Sequence, residues 1–335
     1  QQLEKRFGKL TCEKNQFKHF GVHMSRKADK SITLDQTEYM KVLNPVVLTE
    51  KGRTIDANAN AAEITSYRSL VSGVAWLGIT SPPAQAAASM LQGFLPVPTL
   101  RQLKCANVAL EQLRCEYVPL VYQHGLNLST SKLLMVGDSS LGNVGKYSQG
   151  GYLIMLTDDD PHELCGRFAL LSFRSSKSKR VANSTLSAET LVKALGLEEA
   201  TFIQTWLHEM TNPHLSIPDL IRTPGKDLIP IESVTDCYDL YGLLVKPGAP
   251  NVSNKSLVLH LAYIREQKDE GRVRAWVWCD TKDMLANCLT KLEKDGSLPS
   301  LDLSRAMRAL TWNPSHVFEY QGQKAVSFFD FSMLD

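Results

Sequence analysis

Three carboxylates stand where a folded chain could gather them. Asp138 follows the apolar run Leu133-Leu134-Met135-Val136, which reads as a buried strand delivering that acid at its tip. Asp236 ends a second short run, Ile231 to Thr235. Glu189 falls in the first turns of a helix whose start is marked by the hydroxyl residues Ser184, Thr185 and Ser187. Each acid alone would be an ordinary surface or capping group. Together they offer hard oxygen ligands to a divalent cation, Mg²⁺ or Mn²⁺. That donor set suits phosphodiester hydrolysis, in which two ions about 3.5 to 4 Å apart activate a water and stabilise the leaving oxygen.

The elements that must position these acids can be read from periodicity. Three consecutive strands, the one before Asp138, Gly150 to Leu156 and Gly166 to Arg174, are separated by short connections and predict an antiparallel meander. A long helix follows from Ser184 to about Met210, with Ala188, Leu191, Leu195, Phe202, Trp206 and Met210 on its apolar face and Gly196 in its middle. After a Pro-rich loop (213–230) come a strand ending at Asp236, a helix from Leu257 to Gln267, an alternating strand from Arg272 to Trp278 and a short helix from Asp283 to Leu292. This order predicts a mixed sheet flanked by helices.

Upstream, short strands are expected at Phe7-Gly8-Lys9-Leu10, Phe17 to His23 and Ser31 to Leu34, then a short helix beginning near Asp35. Residues 60–116 read as a helical block, broken at Ser81-Pro82-Pro83, with Ile64, Tyr67, Leu70, Val71, Val74 and Leu77 turned inward. Tyr117 to Tyr122 carries a Pro and reads as an edge piece or a connection. The tail holds apolar pieces around Leu303 to Trp312 and at Val326 to Phe331.

Composition narrows the function classes. At 335 residues the chain can bury two cores or one large one. A formal net charge of +2 gives no global pull on nucleic acid, so a basic contact surface has to be local. Arg174, Lys177, Lys179 and Arg180 form such a run just before the Glu189 helix, where they could meet phosphates. The cysteines lack any C-x-x-C pair, which argues against a zinc ribbon or a disulfide framework and reads as reduced thiols. No apolar run is long enough for a membrane span and no signal peptide is evident, so an intracellular, cytoplasmic protein without membrane contact is expected. The start at Gln1 rather than Met suggests a piece of a longer chain.

Other groups read more simply. His208-Glu209 lacks the second His of a zincin helix, and His260 reads as a packed histidine. Asp158-Asp159-Asp160 reads as a hydrated turn, and Trp276 and Trp278 as core residues on one strand face.

The strings around the acids resemble a known family, the copia-type retrotransposon polyprotein. They are Gly137-Asp138-Ser139-Ser140 with Ser148-Gln149-Gly150-Gly151-Tyr152, then Ser184 to Thr190, Val234-Thr235-Asp236-Cys237, and Thr281-Lys282-Asp283-Met284-Leu285-Ala286-Asn287-Cys288-Leu289-Thr290-Lys291. In that order they are similar to the family's ribonuclease H domain. Phe17 to Gly21, Asp35 to Tyr39 and Tyr67 to Gly73 are similar to the last part of its reverse transcriptase. The resemblance implies an α/β, ribonuclease H-like mixed sheet flanked by helices, preceded by a mainly helical thumb/connection region. It divides the chain into 1–45, the end of a reverse transcriptase palm; 46–125, the helical thumb/connection; 126–296, the ribonuclease H-like domain; and 297–335, a tail. It also implies Mg²⁺-dependent (or Mn²⁺-dependent) endonucleolytic cleavage of RNA in RNA/DNA hybrids, with Asp138, Glu189 and Asp236 as metal ligands and other polyprotein parts as partners.

Two departures stand out. The polymerase motif Tyr-x-Asp-Asp is absent, so the chain alone should not polymerise. The last catalytic position carries Asn287 where the family has an acid; an amide offers one neutral oxygen and no charge. Weakened metal binding and slow or absent cleavage are expected, leaving a catalytically inactive hybrid-binding module or a decayed fragment as alternatives. Asp283, four residues earlier, matches a family position outside the metal site and reads as a helix-start charge.

Overall fold

A computed structural model describes residues 6, 8–9, 13–49, 52–144, 147–160, 164–248, 250, 252, 254–299, 302–316 and 318–325. For residues 143, 144, 324 and 325 it describes the backbone alone. The expected strand at Phe7 to Leu10 has its two ends outside these residues, and Gly8 and Lys9 form a bend. The apolar piece Val326 to Phe331 also lies outside the described residues.

Two sheets form. The smaller joins β1 (Gln16–His19), β2 (Val22–Arg26), β3 (Ile32–Asp35) and β4 (Leu120–Tyr122) in that order, each pair antiparallel. β4 takes the edge position predicted for the Pro-containing run. Between β3 and β4 lie α1 (Thr37–Lys41), α2 (Ala61–Leu77), α3 (Pro82–Gln92) and α4 (Leu100–Glu116). α2 starts in a capping box: the Asn60 side chain accepts from the Glu63 N–H while the Glu63 carboxylate accepts from the Asn60 N–H. Tyr67, Leu70, Val71, Val74 and Leu77 are buried, as the spacing predicts.

The larger sheet is mixed. β5 (Ser131–Val144), β6 (Tyr147–Asp158) and β7 (Phe168–Lys177) make the predicted antiparallel meander. β8 (Ile231–Thr235) then pairs parallel with β5, and β9 (Val273–Cys279) parallel with β8. β10 (Phe318–Tyr320) and β11 (Gln323–Ala325) extend the β9 edge, giving the order β11-β10-β9-β8-β5-β6-β7. Alternation along the strands sends side chains to opposite faces. Leu134, Val136, Leu153, Met155, Val234 and Val277 share one apolar core with α2, α3 and α4, whereas Leu133, Met135, Ile154, Ile231 and Trp276 pack in another. That second core is covered by α5 (Thr185–Thr211), α7 (Tyr238–Val245) and α8 (Lys255–Asp269).

Several elements depart from expectation. β5 runs on past Asp138, so this acid sits within a strand rather than at its tip; its neighbour β6 continues alongside and keeps the ladder paired to Ser140. On α5 the buried face is Ala188, Val192, Gly196, Leu197, Ala200, Ile203 and Leu207, and the larger residues Leu195, Phe202, Trp206 and Met210 are exposed. Small side chains let the helix lie close on the sheet. A Cβ built on Gly196 would fall 1.9 Å from Met135 Cε of β5. The Pro-rich loop contains a short helix, α6 (Ile217–Arg222), started by Pro218 near its N-terminus. The expected helix from Asp283 is two 3₁₀ turns, Thr281–Asp283 and Leu285–Leu289, because Met284 between them is extended. In the tail, α9 (Asp302–Ala309) buries Leu303 and Met307.

The remaining polar expectations shift as well. Asp158 pairs with Arg167 and Asp159 with Arg274, so that turn is tied by ion pairs rather than merely hydrated. His260 is half-exposed and lies 3.1 Å from Arg180 Nη1 instead of packing in the core. Trp276 is buried, and Trp278 is half-buried edge-on to Tyr238. Cys105, Cys115, Cys237, Cys279 and Cys288 are free thiols. No helix among the described residues is long and apolar enough to cross a membrane.

Candidate metal centre

Three elements converge on one point. Asp138 comes from the central strand β5, Glu189 from the start of α5, and Asp236 from the residue after β8. Each offers a carboxylate oxygen, and these oxygens all lie within 4.8 Å of one another. Asp138 is 2 % exposed, Glu189 3 % exposed, and Asp236 half-exposed, so the cluster opens to solvent on the Asp236 side.

Local hydrogen bonds hold each acid. Ser184 caps α5 by accepting from the Ser187 N–H, which sets Glu189 one turn in, on the face toward β5. The Glu189 carboxylate then accepts from the N–H and the hydroxyl of Ser139, both at 2.9 Å. Thr290 donates its hydroxyl to Asp138. Thr281 donates to Asp236 at 2.8 Å, and Trp278 Nε1 donates to the Asp236 carbonyl at 2.9 Å. Each acid keeps further lone pairs for a cation.

The electrostatics follow from burial and crowding. Burial, then the charge of Asp236, push Asp138 up to about 6 against the hydroxyl of Thr290 and the charge of Lys291. Burial and the charges of Asp138 and Asp236 push Glu189 up to about 8. Without a cation, burial and mutual repulsion therefore favour the protonated forms of Asp138 and Glu189.

Asn287 lies on the rim. Its Nδ2 donates to the Thr281 carbonyl at 2.7 Å, and its Oδ1 accepts from Lys291 Nζ at 2.6 Å. This pairing fixes which end of the amide is oxygen, and that oxygen is held by an ammonium. Asp283 is engaged elsewhere: its carboxylate accepts from Ser315 Oγ at 2.9 Å and from the His316 N–H at 2.7 Å.

One charged group escaped the sequence reading. Lys193, on α5, is 1 % exposed and donates to Ser233 Oγ at 2.9 Å and to the Val234 carbonyl at 2.6 Å. Burial lowers it to about 8, against the pull of Glu189 first and then Cys279 and Asp236. The available signal was a lysine four residues after Glu189, on the side of the helix meant for the sheet. Ser139, Thr281 and Thr290 lie inside the strings around the acids, but only tertiary contact reveals them as partners.

The basic run borders a cavity of about 490 Å³ beside the acids. Arg174, Lys177, Lys179, Arg180 and His260 line it together with Tyr152 and the α5 residues Ala188, Leu191 and Leu195; Glu198 is the acid among its lining. Gly150 and Ala188, which also line it, are chain neighbours of Gly151, the β6 partner of Asp138, and of Glu189. The four predicted basic residues thus line one cavity, and two chain neighbours of the acidic cluster line it with them.

No protein-family profile matches the chain, and no curated protein matches it. Among solved structures, the chain is similar to the N-terminal ribonuclease H domain of rv2228c from Mycobacterium tuberculosis, determined as a fusion with maltose binding protein. The two are 13 % identical with a TM-score of 0.31, over 53 % of this chain and 98 % of that one. What the structure itself shows is a mixed sheet flanked by helices.

Proposed function

We propose that this chain binds RNA/DNA hybrids and hydrolyses their RNA strand at the Asp138, Glu189 and Asp236 cluster with Mg²⁺ or Mn²⁺. The observation that carries this reading is the convergence of the three carboxylates from three separate elements. The donor set fits: all three are hard oxygen donors, and the negative charge crowded at Asp138 and Glu189 calls for a cation. Once bound, a divalent cation would ease deprotonation of a water and neutralise the leaving oxygen.

The chain's own residues do the rest. Ser139 and Thr290 fix the orientation of Glu189 and Asp138, and Thr281 that of Asp236. Arg174, Lys177, Lys179 and Arg180 would draw in the phosphate backbone, giving affinity without sequence preference. A hybrid would also be recognised through its A-like shape and its 2′-hydroxyls. The order of motif strings supports a finer assignment to a copia-type retroelement polyprotein. In it 1–45 would close a palm, 46–125 form a thumb or connection, 126–296 carry the nuclease and 297–335 the tail, acting inside cells with other polyprotein parts as partners.

A second reading, a hybrid-binding module without cleavage, is favoured by Asn287, whose amide oxygen is held by Lys291. A labelled RNA strand in a hybrid, incubated with Mg²⁺ or Mn²⁺, separates the two. Slow metal-dependent cleavage is expected, abolished by Asp138→Asn and raised roughly tenfold or more by Asn287→Asp. Salt-sensitive hybrid binding with no cleavage by either protein would establish the second reading. Absence of both binding and cleavage would remove both.

A further inference from the structure

Lys193 sits one helical turn beyond Glu189 on the same face of α5. Its side chain reaches β8, where the ammonium meets Ser233 Oγ and the Val234 carbonyl, two and three residues before Asp236. An ammonium sealed from water is strongly unfavourable unless opposite charge faces it. Glu189, one turn earlier on the same face of α5, and Asp236, two residues beyond the Val234 carbonyl, are the acids placed to supply that charge. Lys193 is therefore a fixed internal counter-ion of the acidic cluster.

We infer that this centre is built for one divalent cation rather than a pair, because Lys193 supplies positive charge that a second ion would otherwise bring. The inference rests on the metal reading above and specifies it. Three carboxylates against one ammonium leave a net charge of minus two, which a single divalent ion balances. A second ion would leave the buried site positive by two, with Lys291 beside Asn287 adding to the excess. An acid at 287 and a neutral residue at 193 would instead leave minus four, the balance of an ion pair. Two departures on separate elements, one removing a negative charge and one adding a positive charge, act in the same direction.

Counting bound Mn²⁺ on the full chain, by calorimetry and by electron paramagnetic resonance of the free ion, tests this without reference to turnover. One tight ion per chain is expected. Lys193→Met, close in length and suited to the apolar side of the helix, should tighten Mn²⁺ binding roughly tenfold or more. Lys193→Met combined with Asn287→Asp should bind two. Two ions of similar affinity on the unaltered chain would overturn the inference, as would unchanged number and affinity in a folded Lys193→Met. Should that variant fail to melt cooperatively, the count on the unaltered chain decides, and Asn287→Asp alone should still hold one tight ion. Failure to bind any Mn²⁺, or binding indifferent to Asp138→Asn, would instead remove the metal reading itself.

Discussion

Asp138 and Glu189 make the clearest demand on solution conditions. Both hold their protons more tightly in the folded chain than the ordinary values of 3.8 and 4.5. A carboxyl whose folded pKa is raised stabilises the fold fully below its unfolded pKa and loses that contribution as pH rises through its folded pKa. The metal-free protein should therefore lose stability progressively as pH rises from about 4 to about 8. Melting in EDTA across that range should show a falling midpoint, and added Mg²⁺ should restore it most at the alkaline end. A midpoint that rises with pH in EDTA would contradict the crowding of these acids. That three acids would cluster was legible from the apolar runs before Asp138 and Asp236 and the helix start before Glu189, although β5 continues past Asp138. Lys193, Thr281 and Thr290 were not, since a lysine or threonine gains its role only from the partner that folding delivers.

The elements show how close approach shapes the centre. Gly151, opposite Asp138 in the ladder, lets the second 3₁₀ turn press onto β6: a Cβ there would lie 2.4 Å from Leu289 Cβ. That contact is with the root of a side chain and cannot swing aside. Gly151→Ala should push away the turn that carries Thr290, costing about 1 to 3 kcal/mol in denaturant unfolding. It should also weaken Mn²⁺ binding by loosening Asp138; unaltered stability and affinity would show that the turn yields freely. The meander, α2 and the strand before Asp236 were legible from periodicity alone. α5 was placed correctly along the chain but rotated wrongly, because large apolar residues ordinarily mark the buried side. Here a sheet that must bring Asp138 to Glu189 selects the small face, Ala188, Gly196 and Ala200. Phe202 and Trp206 are left in solvent.

At the scale of the whole molecule, the larger sheet is covered from both sides by different parts of the chain. α5, α7 and α8 come from within 126–296, but the opposite face is covered by α2 to α4, and the contact is specific as well as apolar. Gln149 Nε2 donates to Ser89 Oγ at 2.9 Å, and the Ser175 N–H donates to Gln85 Oε1 at 2.7 Å. Sequence could separate a helical block from a strand-rich part by their periods, but no local pattern says that one will roof the other. A protein starting at residue 126 would leave Leu134, Val136, Leu153 and Met155 without that cover. It should aggregate or melt without cooperativity, whereas a monomeric product with a sharp melt would show the helices to be dispensable. On that expectation the helical block is a structural prerequisite of the acidic cluster rather than an attached neighbour. Proteolytic processing at that junction would silence the centre instead of releasing it.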